Sequence, residues 1–191
     1  MDNATLEHQL WLLLGAGVLP LWLLVGLCDY ITHARTRIAE TSGVHESFLH
    51  LLETAEIGVP LLGVLLLDVN AFVLLLAVAG VVAHSITAYV DVRYALPRRH
   101  VSPFEQYVHA FLIVLPIIAL ALVVILHWTE FATLWRGEAS WALRWKQPAW
   151  GIEIIASVLL ASLLFGVLPG VYEFTRTWRA RGRVPGTNEA R

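Results

Sequence analysis

The stretch Phe104–His127 reads FEQYVHAFLIVLPIIALALVVILH, and beyond His109 it contains no polar side chain until His127. Crossing the hydrocarbon core of a bilayer takes about 20 mostly apolar residues, so this stretch predicts a transmembrane helix. Its two early ionisable groups, Glu105 and His109, are four residues apart and share one helical stripe. Ionisable groups inside an apolar helix are costly. They usually face the interior of a bundle, pair with one another and mark function.

Four further stretches are long and apolar enough to cross a bilayer: Leu10–Cys28, Phe48–Leu67, Ala71–Val90 and Trp150–Phe174. With 58% hydrophobic residues and a mean hydropathy of +0.67, the composition excludes a single soluble domain. The expected fold is an all-α integral membrane bundle of five transmembrane helices. Residues 1–174 form one domain, and a basic tail, 175–191, is expected to be disordered and close to anionic lipid. The first span has an acidic flank, Asp2 and Glu7, which suits a retained span better than a cleaved signal peptide. The lone Cys28 excludes an intrachain disulfide and reads as packing.

Charge predicts the orientation. Ten of the 13 basic residues follow spans one, three and five, whereas only Arg136, Arg144 and Lys146 lie on the opposite side. The positive-inside rule then puts the N-terminus outside and the C-terminus in the cytoplasm, as expected in a bacterial inner membrane. Asp68–Asn70 reads as a tight turn joining spans two and three into a hairpin. The loop 127–148 interleaves Trp128, Trp135, Trp141 and Trp145 with those three basic residues, a composition that suits an interfacial helix or, less readily, a partner's docking surface.

The Glu105/His109 pair is one of four such sets at the same end of the spans. The others are Asp29 with His33, Glu46 with His50 and Glu53, and His84 with Asp91. Spans two and four even share a pattern, E-x-x-x-H followed by Pro60 or Pro116, which suggests equivalent places around one centre. At about 1.5 Å rise per residue, Asp29, His50 and His109 should lie about 6 Å deeper than Glu46, Asp91, Glu105 and His33. His84 and Glu53 should lie about 10 Å deeper on the same scale. Simpler roles exist for some of them. Ser102-Pro103-Phe104-Glu105 is a capping box, and Asp91 is positioned to pair with Arg93 or Arg98. Capping leaves His50, Glu53, His84 and His109 unexplained. Nitrogen and carboxylate donors together suit two ions of iron, manganese or zinc, and carboxylate-rich dimetal bundles draw their ligands from several helices in this way. His45, Glu56 and His100 are expected around that shell. Arg93, Arg98 and Arg99 satisfy the positive-inside rule and, alternatively, could hold an anionic headgroup. Glu153 has no evident partner.

On His33, His50, His84 and His109, spans one to four resemble the membrane-bound histidine-rich di-iron enzymes, the hydroxylases and desaturases. The chain lacks their H-x-x-H-H and H-x-x-x-H boxes. In mixing Glu with His it is similar to the ferritin-like carboxylate proteins, with E-x-x-x-H in place of their E-x-x-H. This resemblance implies a di-iron oxidoreductase hydroxylating or desaturating a lipid or other hydrophobic substrate, fed by a redox partner or held in a larger membrane complex. Nucleic acid is not an expected partner. Two other expectations remain open: a zinc- or manganese-dependent membrane hydrolase, and a b-type haem electron-transfer subunit with His50 and His109 as axial ligands.

Overall fold

The computed structural model describes residues 2–181, without the side chain of Asn3. It is 82% helical, and the described residues include no strands. Five helices are long and apolar enough to cross a membrane: α1 (Ala4–Arg35), α2 (Gly43–Leu66), α3 (Ala71–Ala95), α4 (Pro103–Leu126) and α6 (Ile152–Ala180). A short helix, α5 (Trp128–Arg136), follows α4.

Helix boundaries follow local chemistry. The Asn70 side chain accepts from the backbone N–H groups of Phe72 and Val73 at the start of α3, and Ser102 accepts from Glu105 N–H at 3.2 Å at the start of α4. Pro103 occupies the first turn of α4, where its missing donor costs nothing. Asp68 and Asn70 also tie down the second half of the 127–148 loop. Asn70 Nδ2 donates to Ala142 O, Asp68 N–H to Arg144 O, and Gln147 N–H to Asp68 Oδ1. The loop is therefore helical only over Trp128–Arg136, ending at Gly137 in the left-handed conformation. Beyond it runs an extended strap, where an interfacial helix was expected.

The prolines shape the spans. A proline cannot donate to the carbonyl four residues earlier, and a wide π-type turn is one way a helix absorbs the defect. In α1 a π segment, Leu13–Val18, precedes Pro20; in α6 another, Leu163–Val167, precedes Pro169. Pro60 frees the carbonyl of Glu56, which lies against Gly80 of α3. A Cβ built on Gly80 would sit 2.4 Å from that oxygen and 2.5 Å from Pro60 Cγ, so only glycine permits this close α2–α3 approach. Pro116 frees the carbonyl of Leu112, which instead accepts from Trp22 Nε1 at 3.3 Å and lies 3.1 Å from His84 Nε2.

The bundle has a basic end, where α1, α3 and α6 finish and α2 and α4 begin, and a tryptophan-rich end. Helix α2 packs on α3 and α6, while α4 packs on α1 and α3. Spans two and four are therefore not side by side; the equivalent places that their shared pattern suggests face one another across the interior. The tail differs too. Thr175–Ala180 completes α6, and Thr177 is buried with its Oγ1 2.6 Å from Ser47 Oγ, so these residues are an ordered helix packed on α2. Residues 182–191 of the expected tail lie outside the described residues.

Candidate metal centre

The ionisable side chains of the spans meet inside the basic end. His33, Glu46, Asp91 and Glu105 are fully buried, and Asp29, His84 and His109 are at most 8% exposed. His50 and Glu53 are half-buried. The rings of His33 and His50 stack, 4.4 Å between centroids and 6° from parallel, with His109 edge-on to His33 at 6.1 Å.

The orientation of that stack comes from a residue that the sequence did not single out. Glu173, buried on α6, binds His50 Nδ1 through Oε1 at 2.7 Å and approaches His33 Nδ1 through Oε2 at 3.5 Å. One carboxylate thereby faces the same edge of both imidazoles, hydrogen-bonded to His50 and in close approach to His33, and both Nε2 atoms lie on the far side of the rings. Histidine ligands of metals are commonly held this way, by a carboxylate on the other ring nitrogen. Span five thus belongs to the site, which was expected from spans one to four alone. In sequence, Glu173 sits at the end of an apolar run beside basic residues and reads as an interfacial charge.

Beyond the Nε2 atoms lie more carboxylates. His33 Nε2 is 3.3 Å from Glu105 and 3.9 Å from Glu46, His50 Nε2 is 3.5 Å from Asp91, and His109 Nε2 is 3.1 Å from Asp29. Yet both ring nitrogens of His33, the Nε2 atoms of His50 and His109, both oxygens of Asp91, Asp29 Oδ1 and Glu105 Oε2 are buried without a hydrogen-bond partner. Close approach without hydrogen-bond direction is the geometry of donors converging on a common point. Two donors each about 2.0–2.2 Å from one ion stand about 3–3.5 Å apart. Two groups sharing no residue, His33/Glu105/His109 and Glu46/His50/Asp91, each bring three donor atoms within 4.8 Å of one another and could each hold an ion. Asp29/His33/His50 is a third, overlapping group.

Charge leads to the same point. Six buried or half-buried carboxylates, Asp29, Glu46, Glu53, Asp91, Glu105 and Glu173, face one guanidinium, Arg99. With neutral imidazoles, that leaves five negative charges unbalanced in a low-dielectric interior, where they cannot persist unpaired. Two divalent cations would offset four of them.

Arg99, an expected orientation signal or headgroup contact, turns inward. Its side chain is 2% exposed and forms ion pairs with both Glu46 and Glu105. Burial alone would lower its pKa, but Glu105 and Glu46 hold it above the ordinary range. It closes the basic end of the site. Arg93 and Arg98 are exposed; they lie over the rings of Tyr89 and Tyr94, and Arg98 also donates to Tyr94 O. His45 is exposed against Tyr94, and His100 is exposed in the loop; neither is among the donor groups.

His84 is also outside those groups. Its Nε2 contacts the carbonyl freed by Pro116, while its Nδ1 is unpaired. Glu53 lines a cavity of about 80 Å³ with Asp29, His33, His50 and His84, beneath Gly26, Gly166 and Gly170. Its Oε1 is unpaired there. Glu56 turns the other way and accepts from Thr87 Oγ1 at 2.8 Å. Glu153 is exposed at the tryptophan-rich end.

Comparison with known protein families, curated proteins and solved structures found no match.

Proposed function

We propose that the chain is an integral membrane protein whose basic end faces the cytoplasm, with the N-terminus outside, and that this end holds two metal ions. The stack carries the reading: in parallel imidazoles 4.4 Å apart, with Glu173 hydrogen-bonded to His50 Nδ1 and 3.5 Å from His33 Nδ1, the two Nε2 atoms lie on the edges away from Glu173. Ions on those nitrogens would sit near the separation of about 3.5–4 Å found in two-metal sites. Glu46 and Glu105, from opposite sides of the bundle, would supply carboxylate oxygens to such ions.

A buried, carboxylate-rich site with histidines suits iron, and its apolar surroundings suit a hydrocarbon substrate. The proposed reaction is hydroxylation or desaturation of a lipid. In hydroxylation, dioxygen is cleaved; one atom enters a C–H bond and the other leaves as water, with two electrons and two protons from an external reductant. Glu53, unpaired in the small cavity, is the group placed to hold a proton beside the site. Haem is disfavoured by shape. His33 packs against both His50 and His109, and the adjoining cavity of about 80 Å³ is smaller than the roughly 150 Å³ that accommodates one benzene.

The test is to load the purified protein with iron(II), add a reductant, a bacterial lipid extract and isotopically labelled dioxygen, and analyse the lipids by mass spectrometry. The reading expects label in a lipid hydroxyl or loss of two hydrogens from a chain. Oxygen-independent cleavage of a headgroup with zinc or manganese would replace it with the hydrolase reading.

A further inference from the structure

A second, larger cavity fills the tryptophan-rich half of the bundle. Its volume is about 560 Å³, and its lining is almost wholly apolar. All five spans contribute: Gly15 and Trp22 from α1, Leu61 from α2, Ala77 from α3, Ala119 from α4 and Val158 from α6. The few polar groups cluster toward one end, where His8, Glu153, Trp11 and Trp150 form a rim. Trp11 and Trp150 meet there edge to face at 5.0 Å.

The space is partly open to the surroundings of the bundle, and an apolar chain is the occupant that suits its lining. Unfilled apolar volume forfeits the packing of its lining, and apolar cavities do not take up water to compensate. At nearly four times the roughly 150 Å³ that accepts a six-carbon ring, it has room for about twenty carbons. Along α1, His8 to Trp22 spans about 21 Å, so the shape is that of an extended chain.

The chamber's inner end is informative. Trp22 lines both this cavity and the small one beside His33, His50 and Glu53. The Trp22 indole, held on the carbonyl that Pro116 frees, is a wall common to both. We infer that the chamber binds one long hydrocarbon chain, fatty or isoprenoid, with its polar head at the Trp11/Trp150 rim and its far end against Trp22. Resting on the proposed function, this makes the chain's terminal segment the part presented to the metals.

The test uses the whole protein with metal and lipid measured on the same sample, so that a failure of the metal reading is separable from a failure of this one. Organic extraction should release about one long-chain lipid per protein, and its mass distinguishes a fatty from an isoprenoid chain. Gly15→Phe projects a ring where an added Cβ meets nothing within 4 Å, and Ala119→Phe fills the chamber from α4. Each should lower bound lipid by about tenfold while metal content stays at the wild-type level. A folded wild type without a bound chain, or retention of the chain in both variants, overturns the proposal. Direction is read by cross-linking. A long-chain alcohol with a diazirine at its terminal carbon should label Trp22 or its neighbours, and one with the diazirine beside the hydroxyl should label Trp11 or Trp150. The reversed pattern overturns the stated orientation.

Discussion

Replacing Arg99 by methionine keeps length and apolar bulk while removing the guanidinium that joins Glu46 to Glu105. Both carboxylates are fully buried, and the Arg99 side chain is 2% exposed, so little solvent screening applies. Breaking a buried ion pair by deleting one partner costs about 3–5 kcal/mol, because the remaining charge is left uncompensated. For a chain of this length that corresponds to a loss of roughly 6–20 °C in melting temperature. The account adds a condition. If metals bind between the same two carboxylates and the histidines, they replace part of the missing positive charge. The loss should then be smaller in metal-loaded protein, by at least about 1.4 kcal/mol, and linkage requires Arg99→Met to bind metal about tenfold more tightly than wild type. Thermal unfolding in detergent, with chelator and with iron(II), measures the first quantity; competition with a chelating dye measures the second. Equal destabilisation in both conditions would refute the reasoning and leave Arg99 as the sole counter-charge of a metal-free ion-pair network.

Glu173→Gln should release the Nδ1 edge of the His33/His50 stack and weaken metal binding about 10–100-fold, the usual effect of losing a carboxylate behind a ligand, whereas the exposed Glu153→Gln should leave affinity unchanged; titration of both variants checks this. His84→Phe should keep the metal, since His84 stands on the Leu112 carbonyl, but destabilise by about 1–3 kcal/mol; loss of metal in elemental analysis would return His84 to the ligand set. Gly80→Ala should cost about 1–3 kcal/mol or more through its clash with Glu56 O and Pro60, while Gly58→Ala, with open space at its Cβ, should be neutral or better in the same melting assay.

Much of the helical plan was legible in the sequence because hydrophobic length and charge distribution are local signals. The spans, the Asp68–Asn70 turn and the Ser102 cap follow from them. The pairing of helices did not. The shared pattern of α2 and α4 marked two equivalent places around one centre, but whether those places were adjacent or opposite depends on which faces pack, and sequence spacing is silent on that. Glu173 was missed because its partners, His33 and His50, lie on other helices and nothing on its own helix repeats the carboxylate–imidazole spacing. Arg99 was absorbed by the positive-inside rule, which accounts for a basic loop without saying which arginine turns inward. His84 has the opposite history. Its depth within an apolar span suggested a ligand, yet the group that meets it cannot be read locally: Pro116 of α4 frees the carbonyl of Leu112, twenty-eight residues beyond His84 in the chain, and His84 of α3 meets that carbonyl.

The most direct test is elemental analysis of the protein purified without chelator, beside a variant carrying His33→Ala and His50→Ala together. The account predicts two transition-metal ions per wild-type chain, with iron prominent, and nearly complete loss in the variant despite a retained helical circular-dichroism spectrum. A folded wild type that holds no metal after supplementation with iron, zinc or manganese would contradict it, and the buried carboxylates would then be balanced by Arg99 and protonated histidines.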